Sequence, residues 1–254
     1  LIDFADGNKV LELQIGFSYT NAEKAKLNLE KEILSKTFEQ TQALADQTWE
    51  DALSKVKVTG GTELQKSLFY SGLYRVMQNP NLRSDVDVEK HATVYSSNNY
   101  WDTYANKLVI LQMLNPELVA NIIRSDIERA DRSGFLGSGF HGDFCPAFII
   151  GSYLRGIRDF DVNTAYQYSL NNATRSWVNG RHGGRKYGDE YRRKGWIAEN
   201  RVANPSVKTE ENEAKASVQK TIEYAYSDYA VALFAKELGD AAREKYEMGY
   251  TVDA

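Results

Sequence analysis

The chain has 254 residues, 42% of them hydrophobic and 26% charged, with a formal net charge of −4. That length accommodates one large domain or two smaller ones around a sizeable core, and the mildly acidic balance argues against a broad nucleic-acid-binding face. No run approaches the ~18 apolar residues of a membrane-spanning helix, and the single cysteine, Cys145, cannot form an internal disulfide, so cysteine usage leaves the redox compartment open.

In chain order, Leu11, Leu13, Ile15, Phe17 and Tyr19 alternate with Glu12, Gln14, Gly16 and Ser18, a period of two that predicts a strand with one buried face. Asn21 is a plausible N-cap, after which Ala25, Leu29 and Ile33 follow a helical period. A second helix is expected from Phe38 to Val56 on Leu44, Trp49, Leu53 and Val56, broken by Gly60-Gly61. Thr62-Glu63-Leu64-Gln65 is a capping box opening a helix on Leu64, Leu68, Leu73 and Met77 that ends before Pro80.

Asn115-Pro116 predicts a helix start, with proline in the first turn and a stop at Gly134. Further helices are expected from Pro146 to about Gly156, over 162–178, and from Ser217 to Leu238 with Gly239 just beyond. Between the last two lies a loop over 179–215, of a length usually functional or disordered. A strand followed by a train of helices is thus the expectation. Without an initiator Met and without a closing element at Ala254, the chain reads as a piece of something longer.

Several short motifs invite chemical readings. Gly137-Ser138-Gly139-Phe140-His141-Gly142 matches G-x-G-x-x-G, but a helix precedes it and no βαβ unit surrounds it, so a dinucleotide site is rejected in favour of a loop that approaches a ligand. His141, Asp143 and Cys145 alternate without the CxxC or HxxxH spacing of a zinc site, which favours a loop histidine or a hydroxyl partner. The basic residues Arg181, Arg185, Lys186 and Arg192 to Lys194 are expected to be a solvated run.

Two sets of residues suit a sugar. With 16 Tyr, 4 Trp and 10 Phe the chain is 12% aromatic, and the Tyr and Trp rings offer flat apolar faces with polar rims. Trp101-Asp102, at the mouth of a helix, pairs a stacking face with an acceptor for two hydroxyls; a capping Asp beside a core Trp fits the spacing equally well. Glu223 stands mid-helix among Tyr224, Tyr226 and Tyr229, where desolvation would raise its pKa and let it hold a proton for a leaving group. Lys220, one turn earlier, suggests instead an ordinary ionised pair.

In order along the chain, Ser67 to Tyr70 with Leu73-Tyr74, Asn79-Pro80-Asn81 through Ser84 to Asp87, Trp101-Asp102-Thr103, Ser133 to Leu136, Gly156 to Asp161 and Lys220 to Tyr226 resemble glycoside hydrolase family 92. The fold this resemblance implies is mainly α: part of an (α/α)6 barrel at 61–254, preceded by a helical linker at 21–60 and, at 1–20, the last strand of a β-sandwich.

The implied activity is exo-hydrolysis of terminal α-linked mannose from glycans, with inversion and calcium. An inverting hydrolase needs a protonated carboxyl at the leaving oxygen and a second carboxylate roughly 6.5–9.5 Å away to activate water. Glu223 matches the family's general acid, while Trp101, Asp102, His141 and Asp143 are the expected substrate contacts. The base carboxylates and most calcium ligands are expected beyond Ala254, in the remaining part of the same enzyme, and calcium calls for oxygen ligands. A secreted, periplasmic or cell-surface location follows from the same resemblance.

Departures from the family pattern are Asp143-Phe144-Cys145, Ser227-Asp228-Tyr229, Val88 after Asp87, and an apparent insertion over 199–216. These bear on linkage preference more than on fold. A non-catalytic glycan-binding or assembly module on the same scaffold is the competing reading.

Overall fold

The computed structural model describes residues 12–89, 92–138, 142–175, 183–198 and 216–240. The chain divides into two compact units, Leu1–Thr93 and Val94–Ala254. The fold is mainly α, as expected.

The first unit holds α1 (Ala22–Glu32), α2 (Phe38–Leu53) and α3 (Glu63–Met77). Each starts where its sequence signals it. Asn21 accepts from the backbone N–H of Lys24, and Thr37/Gln40 and Thr62/Gln65 both close full capping boxes, which satisfy N–H groups that the first turn leaves without partners. α2 and α3 meet through Trp49 and Tyr74, whose ring centroids lie 4.3 Å apart. The Tyr70 hydroxyl donates to the Val56 carbonyl at 2.9 Å and fixes the chain leaving α2.

The strand expected at 11–19 does not form among the described residues. Residues 12–18 have no ladder partner, and Leu13, Ile15, Phe17 and Tyr19 remain exposed. Alternating side chains provide a face, but a strand exists only when a neighbouring backbone takes its N–H and C=O groups. The segment instead lies on α1. A Cβ at Gly16 would overlap the Ala25 carbonyl and stand 2.7 Å from the Leu29 Cβ. Asn28, buried on α1, donates to the Phe17 carbonyl at 2.6 Å and to Asp85 at 2.9 Å, and accepts from the Val86 N–H at 3.0 Å. Thr20 also donates to Asp85, at 2.7 Å. These bonds tie three separate stretches of the unit together.

The second unit contains α4 (Tyr100–Thr103), α5 (Lys107–Leu114), α6 (Pro116–Asp131), α7 (Cys145–Leu154), α8 (Val162–Thr174), α9 (Gly188–Lys194) and α10 (Ser217–Glu237). Neither α5 nor α9 has a counterpart in the sequence-based expectation. α6 starts as predicted, with Asn115 accepting from Leu118 N–H and Pro116 in its first turn. α5 packs on α6, while α10 packs on α7 and α8. Leu108, Ile122, Ile123, Ile149, Val231 and Phe234 are almost or wholly without solvent exposure. Burial at that level contributes about 1.5–3 kcal/mol per large apolar side chain.

The pattern along α10 decides what its residues can do. Lys220, Tyr224, Ser227, Asp228, Val231 and Ala235 are buried, whereas Val218, Ile222, Tyr226 and Tyr229 are exposed. The spacing of the first set is that of one helix face. Glu223 lies at the edge of that face and is partly exposed. Its carboxyl is therefore partly desolvated and still within reach of a ligand.

Candidate active site

Two helices bring the central side chains together. α10 carries Glu223, and the single turn α4 carries Trp101, which hydrogen-bonds the Glu223 carboxylate through its indole N–H. α4 is held from beneath. Tyr100 is buried, donates its hydroxyl to Asp126 and packs its ring 5.4 Å from Phe148. Asp126 also receives Arg129 at 2.6 Å, and a second Arg129 nitrogen reaches the Tyr95 carbonyl at 2.7 Å. Burial pushes the Asp126 carboxyl up, with Arg129 and Tyr100 opposing it. Because Tyr100 points inward from so short a helix, Trp101 and Asp102 are turned outward.

Aromatic rings stand beside Glu223. Tyr104 stacks on Phe144 with centroids 4.4 Å apart and an interplanar angle of 12°. Tyr226, one turn beyond Glu223, lies 5.6 Å from Tyr104 and 6.1 Å from Phe144. Gly142 completes this wall: a Cβ there would stand 2.8 Å from Phe144 Cζ and 3.1 Å from Glu223 Cβ. A residue without a side chain is needed where the loop passes this close.

Desolvation raises the Glu223 carboxyl above its ordinary value, with the hydrogen bonds from Gln219 and Trp101 acting in the opposite direction. The Tyr104 hydroxyl is raised as well, first by burial and then by the nearby Tyr226 and Glu223. A groove of about 340 Å³ starts at Tyr104 and Tyr226 and continues between α5, α7 and α10 past Phe148, Leu154, Arg155 and Tyr229.

The other sequence-based candidates fall in different places. The Asp102 carboxylate is exposed and accepts from Asn99. Asp143 has no solvent exposure, and its two oxygens accept from Asn172 at 2.8 Å and Arg185 at 2.9 Å. It therefore faces the protein interior rather than an open site, because only an interior partner matches a carboxylate this deeply buried. His141, like His91 and His182, lies outside the described residues, as do the middle of the G-x-G-x-x-G loop and nearly all of the apparent insertion. Lys220 is buried on the inner face of α10, while the hydrogen bonds to Glu223 come from Gln219 and Trp101.

Sequence reasoning missed Arg185. Expected in a solvated basic run, it has no exposure and bridges Asp143 and Asp228. Burial alone would lower its pKa, but Asp228 and Asp143 more than offset this and hold it above its ordinary value. The one available signal was Gly183-Gly184 just before it. Gly183 has φ 86°, and a Cβ there would stand 3.0 Å from the Phe135 carbonyl oxygen, so the chain is pressed flat against residues 135–136.

Comparison with known proteins places this arrangement. Residues 24–249 match the model of the glycosyl hydrolase family 92 catalytic domain. The chain belongs to glycosyl hydrolase family 92. It is 25% identical over 256 residues to an uncharacterized secreted glycosidase of Arthroderma benhamiae, spanning 95% of this chain and 30% of that protein. Its fold is similar to that of a family 92 inverting mannosidase from Bacteroides thetaiotaomicron, with TM-score 0.79 and 23% identity over 92% of this chain and 33% of the other. A family 92 alpha-mannosidase from the same bacterium is equally similar, with TM-score 0.79 and 23% identity over 92% of this chain and 32% of its own. The family 92 chain thus spans about a third of the length of these relatives.

Among the described residues, no three His, Cys, Asp or Glu side chains are grouped so as to hold a metal ion, and no chemical step is assigned to calcium. No helix among them is long and apolar enough to cross a membrane.

Proposed function

We propose that this family 92 chain supplies the acid side of an inverting exo-α-mannosidase, with Glu223 delivering a proton to the glycosidic oxygen. The observation that carries this reading is the setting of Glu223, partly buried beside Tyr104, Tyr226 and Trp101, with its carboxyl raised by desolvation. A raised carboxyl retains its proton closer to neutral pH, where it can be given up as the C–O bond breaks.

In this reading the exposed face of Trp101 stacks on the apolar side of the terminal mannose, and the Asp102 carboxylate accepts from its hydroxyls. His141 is assigned as a further contact to the sugar. Asp143 serves indirectly, through Arg185. Inversion requires a carboxylate on the opposite face of the sugar, roughly 6.5–9.5 Å from the acid, and this base is assigned to another part of the protein. Calcium, with ligands outside the described residues, and a secreted location belong to the same reading, the latter in keeping with the fungal relative.

The test is hydrolysis of a mannosyl disaccharide, whose departing sugar alkoxide needs the proton, by the protein that carries this chain. Glu223→Gln keeps the shape of the side chain but has no acidic proton to give. We expect turnover to fall by about 10²–10⁴-fold, the usual worth of a general acid, with mannose affinity kept. Unchanged turnover would remove Glu223 from this role. Binding without turnover in the unmodified protein would favour a glycan-binding module instead.

A further inference from the structure

Behind Glu223, on the inner side of α10, lies a fully enclosed set of charges. The Arg185 Nε donates to Asp143 at 2.9 Å and its Nη1 to Asp228, and none of the three side chains has more than marginal exposure. Its guanidinium lies 5.0 Å from the centroid of the Tyr224 ring, and the Tyr224 hydroxyl donates to the Lys186 carbonyl at 3.0 Å. Ser227 donates to the Asp143 carbonyl. Asn172 ties Asp143 at 2.8 Å to Leu136, whose N–H it accepts at 2.9 Å and whose carbonyl it reaches at 3.1 Å.

The placement of these bonds gives them a consequence beyond stability. Tyr224 and Asp228 follow Glu223 by one and five residues on α10, and Asp143 follows Gly142, the residue packed against the Glu223 Cβ. Arg185 therefore holds both surfaces that confine Glu223: its own helix and the loop against it. We infer that Arg185 is a positioning residue for the Glu223 acid, setting the distance between α10 and the Gly142 loop through its fork to Asp143 and Asp228. This rests on the proposed role of Glu223. Lysine cannot replace the fork, since a single ammonium lacks the planar pair of donors directed at two separate carboxylates.

A misplaced acid leaves a particular kinetic signature. A departing dinitrophenolate needs almost no protonation, whereas a departing sugar alkoxide needs it fully. In the protein that carries this chain, Arg185→Lys should lower kcat on a mannosyl disaccharide by about 10²-fold, the cost of a displacement near 1 Å. KM should change little, and turnover of dinitrophenyl α-mannoside should stay within about threefold, a loss small against the acid's worth. Gly142→Ala, whose Cβ would press on the Phe144 ring and on the Glu223 Cβ, should show the same selectivity.

Equal losses on both substrates would make Arg185 merely structural and overturn the inference. Should Arg185→Lys fail to fold, by circular dichroism, Ser227→Ala removes a milder part of the same tie; a leaving-group-selective loss supports the inference and a uniform effect overturns it. Glu223→Gln run in parallel separates the two ideas. If it shows the selectivity and Arg185→Lys does not, positioning alone falls. If Glu223→Gln shows none, the acid reading falls and takes this inference with it.

Discussion

At the scale of single residues, the environment of Glu223 balances opposing effects. Desolvation raises its carboxyl, and the Trp101 indole N–H, which stabilises the ionised form, lowers it. Trp101→Phe keeps an apolar ring and deletes that donor, so the Glu223 pKa should rise further. An acid that must be protonated then works to higher pH, and the alkaline limb of kcat/KM should move upward. A downward movement would mean that Trp101 does not act on Glu223 through this bond. KM should rise too, if the indole also stacks on the sugar. Glu223 was legible as a candidate because aromatic residues surround it in the sequence. The contribution of Trp101 to its ionisation was not legible, since the two residues come together only when α4 and α10 pack in one unit.

At the scale of elements, helix starts were the most legible feature. Asn21, Thr37, Thr62, Asn115 and Asp161 all accept backbone N–H groups of the turns that follow them. These are local contacts, and local sequence suffices to specify them. α5 escaped notice because Lys107–Leu114 is apolar nearly throughout and shows no clear period. α9 escaped because it has only seven residues, between glycines, within an expected loop.

The clamp on α1 yields two predictions. Gly16→Ala should destabilise the first unit by about 1–3 kcal/mol, the usual cost of forcing atoms into filled space, seen as an earlier thermal transition. Hydrogen bonds from Thr20, Ser18 and Asn28 hold the Asp85 carboxyl below its ordinary value. A depressed carboxyl contributes stability that is complete above the unfolded value of about 3.9 and is lost as pH falls through the folded one. Acid titration of stability should show this component below pH ~4, and Asp85→Asn should remove it. An identical acid profile in the variant would rule the clamp out as a pH-sensitive element.

For the whole molecule, the expected calcium requirement separates fold from chemistry. Chelation should abolish mannoside hydrolysis by the protein that carries this chain. It should leave the thermal stability of the chain itself unchanged, because its described residues offer no grouped set of metal-binding side chains. A lower melting temperature on chelation would place a calcium site within the chain.

Caps, periodicity and ordered short motifs are written in neighbouring residues, so the helical class, most helix starts and the family were readable from the chain alone. Which polar residues face a ligand and which face one another depends on how the helices pack. Arg185 and Asp143 both looked like surface or site residues, yet each is buried against the other. A charge can leave water only where partners from separate elements converge on it. The position of Glu223, between solvent and that buried network, depends on the same convergence.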